Sequence, residues 1–424
     1  MTESRADASR RIRVVFLTFY YEAWDALADI HALMAADARF DVTVASIPRR
    51  FTGDSGFAEE DDVSDYFNSA GVAHLRLNEK DSFEGLARLR ALEPDYVFIN
   101  YPWQRNYPPA YRVDELVKFT RICYVPYYSL PLVNEPGEEG VAPHLYQQRS
   151  HQLASLVFTQ DAHVREAYAH TERGNSFVHV TGTPKIDTLV RQVHDGRSRW
   201  PLPDTGNLRM VWAPHHSYGS GWLNFGMFSQ MFGRMLDFAA THPRLDIVLR
   251  PHPFMFGTLV DRHVIPADVL EAWLAEWNAL PNTAIDHDGD AAHLFRATDL
   301  FLTDGISFLG EYPLATNKPT IFLENHDHWP WSPLGELAAK ANIRVRTFED
   351  FVGMFNDICR NGLPDYFDEI AHLRQAAQPY PGQAAARIIE VVATDFAVGS
   401  PLVDPRLVTE TAWENRPGAE PAWD

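Results

Sequence analysis

Short apolar runs alternate with longer amphipathic stretches along this 424-residue chain. Residues 13–17 (RVVFL) form the first run, and residues 208–212 (LRMVW) open a second series of the same kind. Short runs of this kind are typical of strands buried on both faces of a parallel sheet, and the stretches between them are typical of helices. The alternation therefore predicts an α/β fold built from βαβ units.

The length of the chain and one stretch rich in Pro and Gly predict two domains. A chain of 424 residues is long for a single core, and residues 197–207 are the best candidate for a linker. We expect a Rossmann-like domain at residues 1–195, a second at 205–380, and a segment at 381–424 that holds a helix returning to the first domain and a polar tail. Two doubly wound α/β domains facing across a cleft form the arrangement called GT-B.

Charge and composition exclude several classes of partner. The formal net charge of −20 argues against nucleic acid and against a strong hold on anionic lipid, although peripheral membrane contact stays compatible with it. No apolar run approaches the roughly 18 residues that span a bilayer, and the polar N-terminus does not look like a signal peptide. Cys123 and Cys359 are too few for a disulfide framework, so we expect a cytoplasmic protein.

Two segments of the second half place polar residues where a buried strand ends. Residues 249–253 read LRPHP, and residues 301–312 read FLTDGISFLGEY. Because the carboxyl ends of neighbouring parallel strands form the ligand crevice, we expect both segments to reach one cleft. Arg250 can bind phosphate oxygens, and His252, held between prolines, can donate to a bridging or leaving oxygen. The alternative for His252 is a rigid strand exit with a buried structural histidine.

The second of these segments has the features of an anion site at a helix start. Residues 303–305 (TDG) offer an acid that can cap the helix and a glycine that lets a ligand approach, and Ser307 adds a hydroxyl in the first turn. Glu311 lies four residues further on the same helix face, where it can meet a ribose hydroxyl. The alternative is a plain strand-to-helix junction. Pro313 predicts that the helix is short or kinked.

A second histidine-bearing exit loop follows at residues 212–217 (WAPHHS). His215 and His216 would share one site with His252, and three histidines can in principle ligate zinc. No Cys, HExxH motif or nearby carboxylate accompanies them, so we favour phosphate recognition and expect neither a metal nor a cofactor.

The residues that follow the strands of the first half are conspicuously aromatic. Aromatic faces combined with hydroxyl groups suit a sugar or polyol acceptor, whereas core packing is the alternative for some of these rings. The three loops concerned contain Tyr20, Tyr21 and Trp24, then Tyr101, Trp103, Gln104 and Arg105, and finally Tyr127 and Tyr128.

In their order and spacing, four segments resemble the C-terminal half of the CDP-glycerol glycerophosphotransferases, the polymerases and primases of teichoic-acid-like polymers. The segments at 250–253 and 303–312 are similar to an Arg-x-His-Pro segment of the family and to its Thr-Asp-Tyr-Ser-Ser followed by Glu-Tyr. Residues 317–322 (NKPTIF) look like its NKPIIFF strand, and residues 180–189 (VTGTPKIDTL) look like its GxPRxDxL segment. The resemblance covers roughly residues 120–395, in separated blocks.

One motif of that family is missing. Its members carry a His-Gly pair, in which the His is thought to act as the base, after the strand that matches residues 121–125. This chain has Pro-Tyr-Tyr at 126–128 instead. His144, Asp25 and His31 are the alternatives for a base, and the sequence does not choose between them.

The resemblance implies a transferase for a nucleotide-activated donor, with CDP-glycerol or a similar CDP-polyol as first choice. It would move polyol phosphate onto a hydroxyl of a glycan or polyol phosphate acceptor, lipid-linked or free, in the synthesis of cell-surface polymers such as teichoic acid or capsule. The alternatives are a GT-B glycosyltransferase or UDP-sugar epimerase, and a non-catalytic nucleotide-binding relative. The residues assigned are His252, His216 and Tyr127 to catalysis, Arg250, His215, Thr303, Asp304, Gly305, Ser307 and Glu311 to the donor, and Tyr20, Trp24, Trp103, Arg105 and Tyr128 to the acceptor.

Overall fold

The computed structural model describes residues 10–50, 56–58, 60–134, 143–196, 198–219, 223–287 and 291–408. These residues form two compact units. The first unit comprises the described residues up to Ser129, those from 143 to Thr188 and those from Gln378 onward. The second unit comprises residues 130–134 and Leu189–Ala377. The end of the expected polar tail, after residue 408, and the side chain of His144 lie outside the described residues.

Among the described residues, seven parallel strands form the sheet of the first unit, in the order β3-β2-β1-β4-β5-β6-β7. The strands are β1 Ile12–Thr18, β2 Phe40–Ser46, β3 His74–Arg76, β4 Tyr96–Ile99, β5 Arg121–Tyr124, β6 Leu156–Thr159 and β7 Val178–Val180. The helices are α1 Asp25–Ala36, α2 Asp61–Ser69, α3 Ser82–Ala91, α4 Val113–Leu116, α5 Arg149–Leu153, α6 Ala162–Ala169, α7 Pro184–Asp195 and the C-terminal α16 Ala384–Val398. The part of α7 from Leu189 onward belongs to the second unit.

Both faces of this sheet are buried. Side chains alternate along β1, so Val15 and Leu17 belong to one apolar layer, and Val14 and Phe16 belong to the other. The second layer also contains buried residues of α16, such as Ile388. The C-terminal helix is thus part of the core of the first unit.

The second unit has a sheet of six parallel strands within the described part of the chain, in the order β10-β9-β8-β11-β12-β13. The strands are β8 Leu208–Ala213, β9 Leu245–Leu249, β10 Thr283–Ile285, β11 Leu300–Thr303, β12 Ile321–Leu323 and β13 Ile343–Val345. The helices are α8 Phe228–Thr241, α9 Met255–Asp261, α10 Ala267–Ala279, α11 Ala292–Ala297, α12 Ile306–Thr316, α13 Pro333–Lys340, α14 Phe348–Asn361 and α15 Phe367–Ala377.

Pro313 predicted a short or kinked helix, and the structure shows that helix α12 continues past this residue to Thr316. Proline has no N–H to donate to the carbonyl four residues earlier, which is that of Leu309. The side-chain amide of the buried Asn342 donates to this carbonyl instead, at 2.8 Å. A side chain from outside the helix therefore replaces the missing backbone hydrogen bond.

Each sheet reverses its strand order at one point, between β1 and β4 and between β8 and β11. In open parallel sheets, ligands bind at the carboxyl ends of the strands beside such a switch point. Of the exit loops that the sequence singled out, those of β1, β4, β8 and β11 flank these points, and those of β5 and β9 leave from the next strand along. No helix within the described ranges is long and apolar enough to cross a membrane.

Candidate functional site

The backbone pairing of β8 with β9 continues beyond the ends of both strands. The N–H of Arg250 donates to the carbonyl of Trp212 at 2.8 Å, and the N–H of His252 donates to the carbonyl of Pro214 at 3.2 Å. The two exit loops therefore leave the sheet side by side, which brings His252 next to the histidine pair of the β8 exit.

The three imidazoles form a compact group, which we call the histidine cluster (His215, His216 and His252). The ring centroids of His216 and His252 are 3.9 Å apart with nearly parallel planes, and His215 lies 4.7 Å from His216 and 5.6 Å from His252. His215 is buried, whereas the other two are partly exposed. No three His, Cys, Asp or Glu side chains of the described ranges are placed to hold a metal ion.

Hydrogen bonds fix the tautomers of two of these rings. Nδ1 of His215 accepts from the backbone N–H of Ser217 at 3.2 Å and lies 2.8 Å from the Ser217 hydroxyl, which itself accepts from the N–H of Phe225. Nδ1 of His252 accepts from the N–H of Phe254 at 3.2 Å. Because Nδ1 is the acceptor in both rings, the proton of each neutral ring is on Nε2.

The surroundings keep the cluster uncharged near neutral pH. Burial lowers the pKa of His215 and of His252 well below that of a free imidazole, and the neighbouring imidazoles lower it further. Burial, together with the charge of Arg262, lowers the pKa of His216 to about 4. His215 and His252 are therefore neutral donors with Nε2–H groups.

Asp304 holds the β8 exit loop in place. One oxygen of this buried carboxylate accepts the N–H of His215 at 2.5 Å, and the other accepts the N–H of Met227 at 2.5 Å. Burial raises the pKa of Asp304 to about 7, against the opposing effect of these backbone donors. The sequence predicted an N-capping acid here, but the N-cap of α12 is Gly305. Asp304 fixes the position of His215.

The start of α12 lies against the histidine cluster. A Cβ placed on Gly305 would be 3.5 Å from Cδ2 of His215, the ring atom bonded to Nε2. Thr303 accepts the N–H of Gly305 at 2.9 Å and donates to the carbonyl of Ala213, which joins the ends of β11 and β8. Among the side chains that the structure describes, none caps α12, and the first turn of this helix carries no acidic residue. Its N-terminal amides and the partial positive charge of the helix are open to an anion.

The two polar residues assigned to α12 differ in exposure. Ser307 is exposed in the first turn, whereas Glu311 is buried one turn later. Gly305 is thus the residue of this segment that lies against the histidine cluster, with Ser307 exposed two residues later and Glu311 buried one turn further on.

Arg250, which the sequence assigned to the donor, is paired with a carboxylate of the same unit. Its guanidinium forms an ion pair with the buried Asp286, which also lies 3.3 Å from Nε2 of His293. Burial acts to raise the pKa of Asp286, but the hydrogen bond from His293 and the charge of Arg250 outweigh it, so the pKa is lowered. This pairing was not foreseen from the sequence, because Asp286 follows β10 and is far from Arg250 along the chain.

The loop at residues 324–331, which follows β12, packs on the β8 exit loop of its own unit. The ring of His328 stacks on Phe225 at 4.6 Å, and the N–H of Trp329 donates to the carbonyl of Leu223 at 2.9 Å. Glu324 is held by Arg344 and lies near His328. The loop therefore supports the segment that positions Ser217 and His215.

In the first unit, the exits of β1, β4 and β5 bring four half-buried tyrosines together. Tyr20 lies 5.2 Å from Tyr101 and 5.6 Å from Tyr127, and Tyr127 lies 5.5 Å from Tyr128 between ring centroids. Burial raises the pKa of all four phenols, so they are protonated donors at neutral pH.

Charged and indole groups complete this aromatic group. The side chain of Trp103 hydrogen-bonds to Tyr127, and the charge of Lys185 opposes the rise in the pKa of that phenol. Lys185 itself lies 3.3 Å from Asp25. Arg105 is close enough to Tyr101 to lower the pKa of that phenol slightly against the effect of burial. Lys185 is a member of this group that the sequence did not assign to it.

Two residues considered from the sequence lie in the apolar core instead. Trp24, assigned to the acceptor, is buried against Phe16 and Phe67, with centroids 6.1 and 5.0 Å away. His31, one alternative for the base, packs against Phe16 and Trp24, and burial lowers its pKa. Both face the helix layer of the sheet rather than its exit loops.

No protein-family model and no curated protein matches the sequence. Solved structures do align with it over both units. A putative UDP-N-acetylglucosamine 2-epimerase from Listeria monocytogenes aligns with a TM-score of 0.61 at 17% identity, over 93% of this chain and 99% of that one. The UDP-GlcNAc 2-epimerase from Neisseria meningitidis bound to UDP-GlcNAc gives 0.58 at 14%, over 91% and 100%. The wall teichoic acid polymerase TagF gives 0.54 at 12%, over 92% and 90%.

The predicted fold class is confirmed. The chain has two Rossmann-like α/β domains with parallel sheets, as these GT-B proteins have. At identities of 12 to 17%, the likeness concerns the fold.

Proposed function

We propose that the second unit binds the diphosphate of a nucleotide-linked donor and that the protein is an enzyme that uses a nucleotide sugar or a related nucleotide-activated compound. The observation that carries this proposal is the histidine cluster beside the uncapped start of α12. Two neutral imidazoles with Nε2–H groups and a set of free backbone amides are all hydrogen-bond donors, and phosphate oxygens are acceptors.

This donor set suits a diphosphate despite the overall charge of the protein. The net charge is −20, but salt screens charges more than about 8–10 Å away, so distant acidic residues have little effect at this site. Asp286 offsets the charge of Arg250, so most of the attraction would come from oriented dipoles rather than from cations. A helix N-terminus favours an anion by typically 0.3–1 kcal/mol, and a hydrogen bond to a charged group adds about 1.5–3 kcal/mol.

A UDP sugar is the first donor to test. Two of the structural relatives are UDP-GlcNAc 2-epimerases, and one of them was solved with UDP-GlcNAc bound. In this proposal the diphosphate contacts His215, His252 and the amides around Ser307, and Glu311 accepts from a ribose hydroxyl. A GT-B glycosyltransferase and a UDP-sugar epimerase both fit this arrangement.

A CDP-polyol is the second candidate, and sequence motifs favour it. The segments around Arg250, Asp304 and Asn317 resemble those of the CDP-glycerol glycerophosphotransferases, and the teichoic acid polymerase TagF has the same fold. In that case the tyrosines at the exits of β1, β4 and β5 would receive a hydroxyl acceptor, with Tyr127 as a proton donor or acceptor.

Calorimetry on the full chain tests this proposal. UDP-GlcNAc, CDP-glycerol and GDP-mannose are titrated separately, and we expect one of the first two to bind in preference to GDP-mannose. His252→Ala should weaken that binding about ten- to a hundred-fold, because one hydrogen bond to a charged group is lost. His372→Ala is the control, since this histidine is exposed on α15. Absence of binding by all three compounds would refute the proposal, whereas binding without turnover would favour a non-catalytic relative.

A further inference from the structure

Four buried side-chain acceptors of the first unit have no hydrogen-bond donor among the described residues. They are His151 Nδ1, Gln152 Oε1, Gln160 Oε1 and Asp161 Oδ2. All four residues are buried, with at most 5% of their surface exposed. An unsatisfied buried polar atom costs about 1–3 kcal/mol, so four of them in one region call for a physical account.

Each of the four residues interacts with Tyr128, with Tyr146 or with both. The amide of Gln152 donates to the Tyr146 carbonyl at 3.3 Å, and His151 also hydrogen-bonds to the backbone of Tyr146, which leaves its Nδ1 as an unprotonated acceptor. The amide of Gln160 donates to the Tyr128 carbonyl at 3.3 Å. Asp161 is close enough to Tyr128 and Tyr146 to raise the pKa of both phenols.

Asp161 stands at the exit of β6 and caps helix α6. Its Oδ1 accepts the N–H groups of His163 at 2.7 Å and Val164 at 3.1 Å, so this oxygen has an ordinary capping role. Capping does not use Oδ2, which is buried without a donor. Burial raises the pKa of Asp161 against the effect of these backbone donors.

The chemistry of this set defines what could complete it. The atoms without partners are mainly acceptors; the hydroxyl of Tyr124, also unsatisfied, can act in either way. A phosphate or carboxylate would add further acceptors and would be repelled by Asp161. Hydroxyl groups supply the missing donors, and the tyrosine rings offer apolar faces to a sugar or polyol.

We propose that the exits of β5 and β6 form a binding site for a neutral, hydroxyl-rich molecule, with Asp161 Oδ2 accepting a hydrogen bond from one of its hydroxyls. If the proposed function holds, this molecule is the acceptor or its hydroxyl-bearing end, and Asp161 is positioned to receive the proton of that hydroxyl. From the sequence, only His144, Asp25 and His31 were considered for this role, and Asp161 was not among them.

Saturation-transfer NMR on the full chain tests the site without any donor. Glycerol and N-acetylglucosamine are the neutral probes, and glycerol 3-phosphate is the anionic comparison. We expect weak binding of at least one neutral probe and none of the anion. Asp161→Asn keeps an N-cap of equal quality and nearly the same shape, and it should weaken binding at least about tenfold because the charged acceptor is lost.

Asp81→Asn is the matched control. Asp81 caps α3 in the same way, with Oδ1 accepting the N–H of Phe83 at 2.9 Å, but it is exposed. Probe binding should be unchanged in this variant. Failure of both neutral probes to bind the wild type, or equal binding by Asp161→Asn, would overturn the inference.

A crystal of the wild type soaked in N-acetylglucosamine decides the matter if Asp161→Asn does not fold. A sugar hydroxyl within hydrogen-bonding distance of Asp161 Oδ2 supports the inference, and water alone at that atom overturns it. Polyol binding without nucleotide binding would contradict only the proposed function, and nucleotide binding without polyol binding would contradict only the present inference.

Discussion

Replacing Asp304 by Asn should loosen the loop that presents His215. The wild-type carboxylate accepts two backbone N–H groups, those of His215 and Met227, each at 2.5 Å. Above about pH 7, where Asp304 is ionised, Asn keeps one acceptor oxygen and turns its NH₂ toward the other N–H, so one hydrogen bond to a charged group is lost and a buried donor is left unsatisfied. Either effect is worth about 1–3 kcal/mol, and we expect a loss of about 2–3 kcal/mol in the local stability of the loop.

Hydrogen exchange measures this loss directly. A cost of about 2–3 kcal/mol corresponds to roughly 30- to 150-fold faster exchange of the two amides, if they exchange by local opening. Nucleotide affinity should fall with it, because His215 loses its fixed position. Asp299→Asn is the matched control: its exposed carboxylate accepts one amide, that of Arg209, at 2.9 Å, and the change should cost less than about 1 kcal/mol. Equal exchange rates in wild type and Asp304→Asn would refute the positioning role.

Three further predictions concern the same unit. Gly226→Ala should displace the β8 exit loop and weaken nucleotide binding in calorimetry, because a Cβ at this position would lie 2.6 Å from the ring of Tyr218. Gly233→Ala is the control: a Cβ at this position in α8 has nothing within 4 Å, so nucleotide binding should be unchanged. Asn342→Ala should lower the free energy of unfolding, measured in urea, by about 3 kcal/mol or more, because it leaves buried carbonyl and amide groups without the hydrogen bonds that the Asn342 side chain forms. A loss below about 1 kcal/mol would contradict this. For His216, burial lowers the pKa to about 4 from the value of about 6.5 that an unperturbed imidazole has, so between these values the unfolded chain binds a proton that the folded protein does not. The free energy of unfolding of the wild type relative to His216→Asn should therefore fall as the pH falls from about 6.5 to about 4; urea unfolding at pH 7.5 and pH 5 measures it, and an unchanged difference would show that His216 is not buried as described.

The architecture was largely predictable from the sequence because buried parallel strands leave a continuous apolar run. The runs at residues 13–17 and 208–212 correspond to β1 and β8. The edge strands β3 and β13 were not foreseen. Each is a strand of three residues at the edge of its sheet and contains an arginine, so its sequence has no continuous apolar run.

The details of the site were less predictable because they depend on contacts between distant residues. The sequence placed His252 near His215, since both follow strands of one parallel sheet. It could not show that Asp304 holds the backbone of His215, or that Asp286 pairs with Arg250, because only the fold brings these residues together. Trp24 shows the reverse error: an aromatic residue in a loop-like stretch is part of the core.

The most direct test of the central claim is ¹⁵N NMR of the histidine side chains during a titration with UDP at pH 7.5. Free protein should show neutral rings with the proton on Nε2 for His215 and His252, identified by single substitutions, and UDP should shift both Nε2–H signals in a saturable way. An Nδ1–H tautomer or a charged ring would contradict the description of the cluster. Signals that do not move at any UDP concentration would contradict the claim that this cluster binds UDP, and the same titration with CDP would then decide whether it binds a nucleoside diphosphate at all.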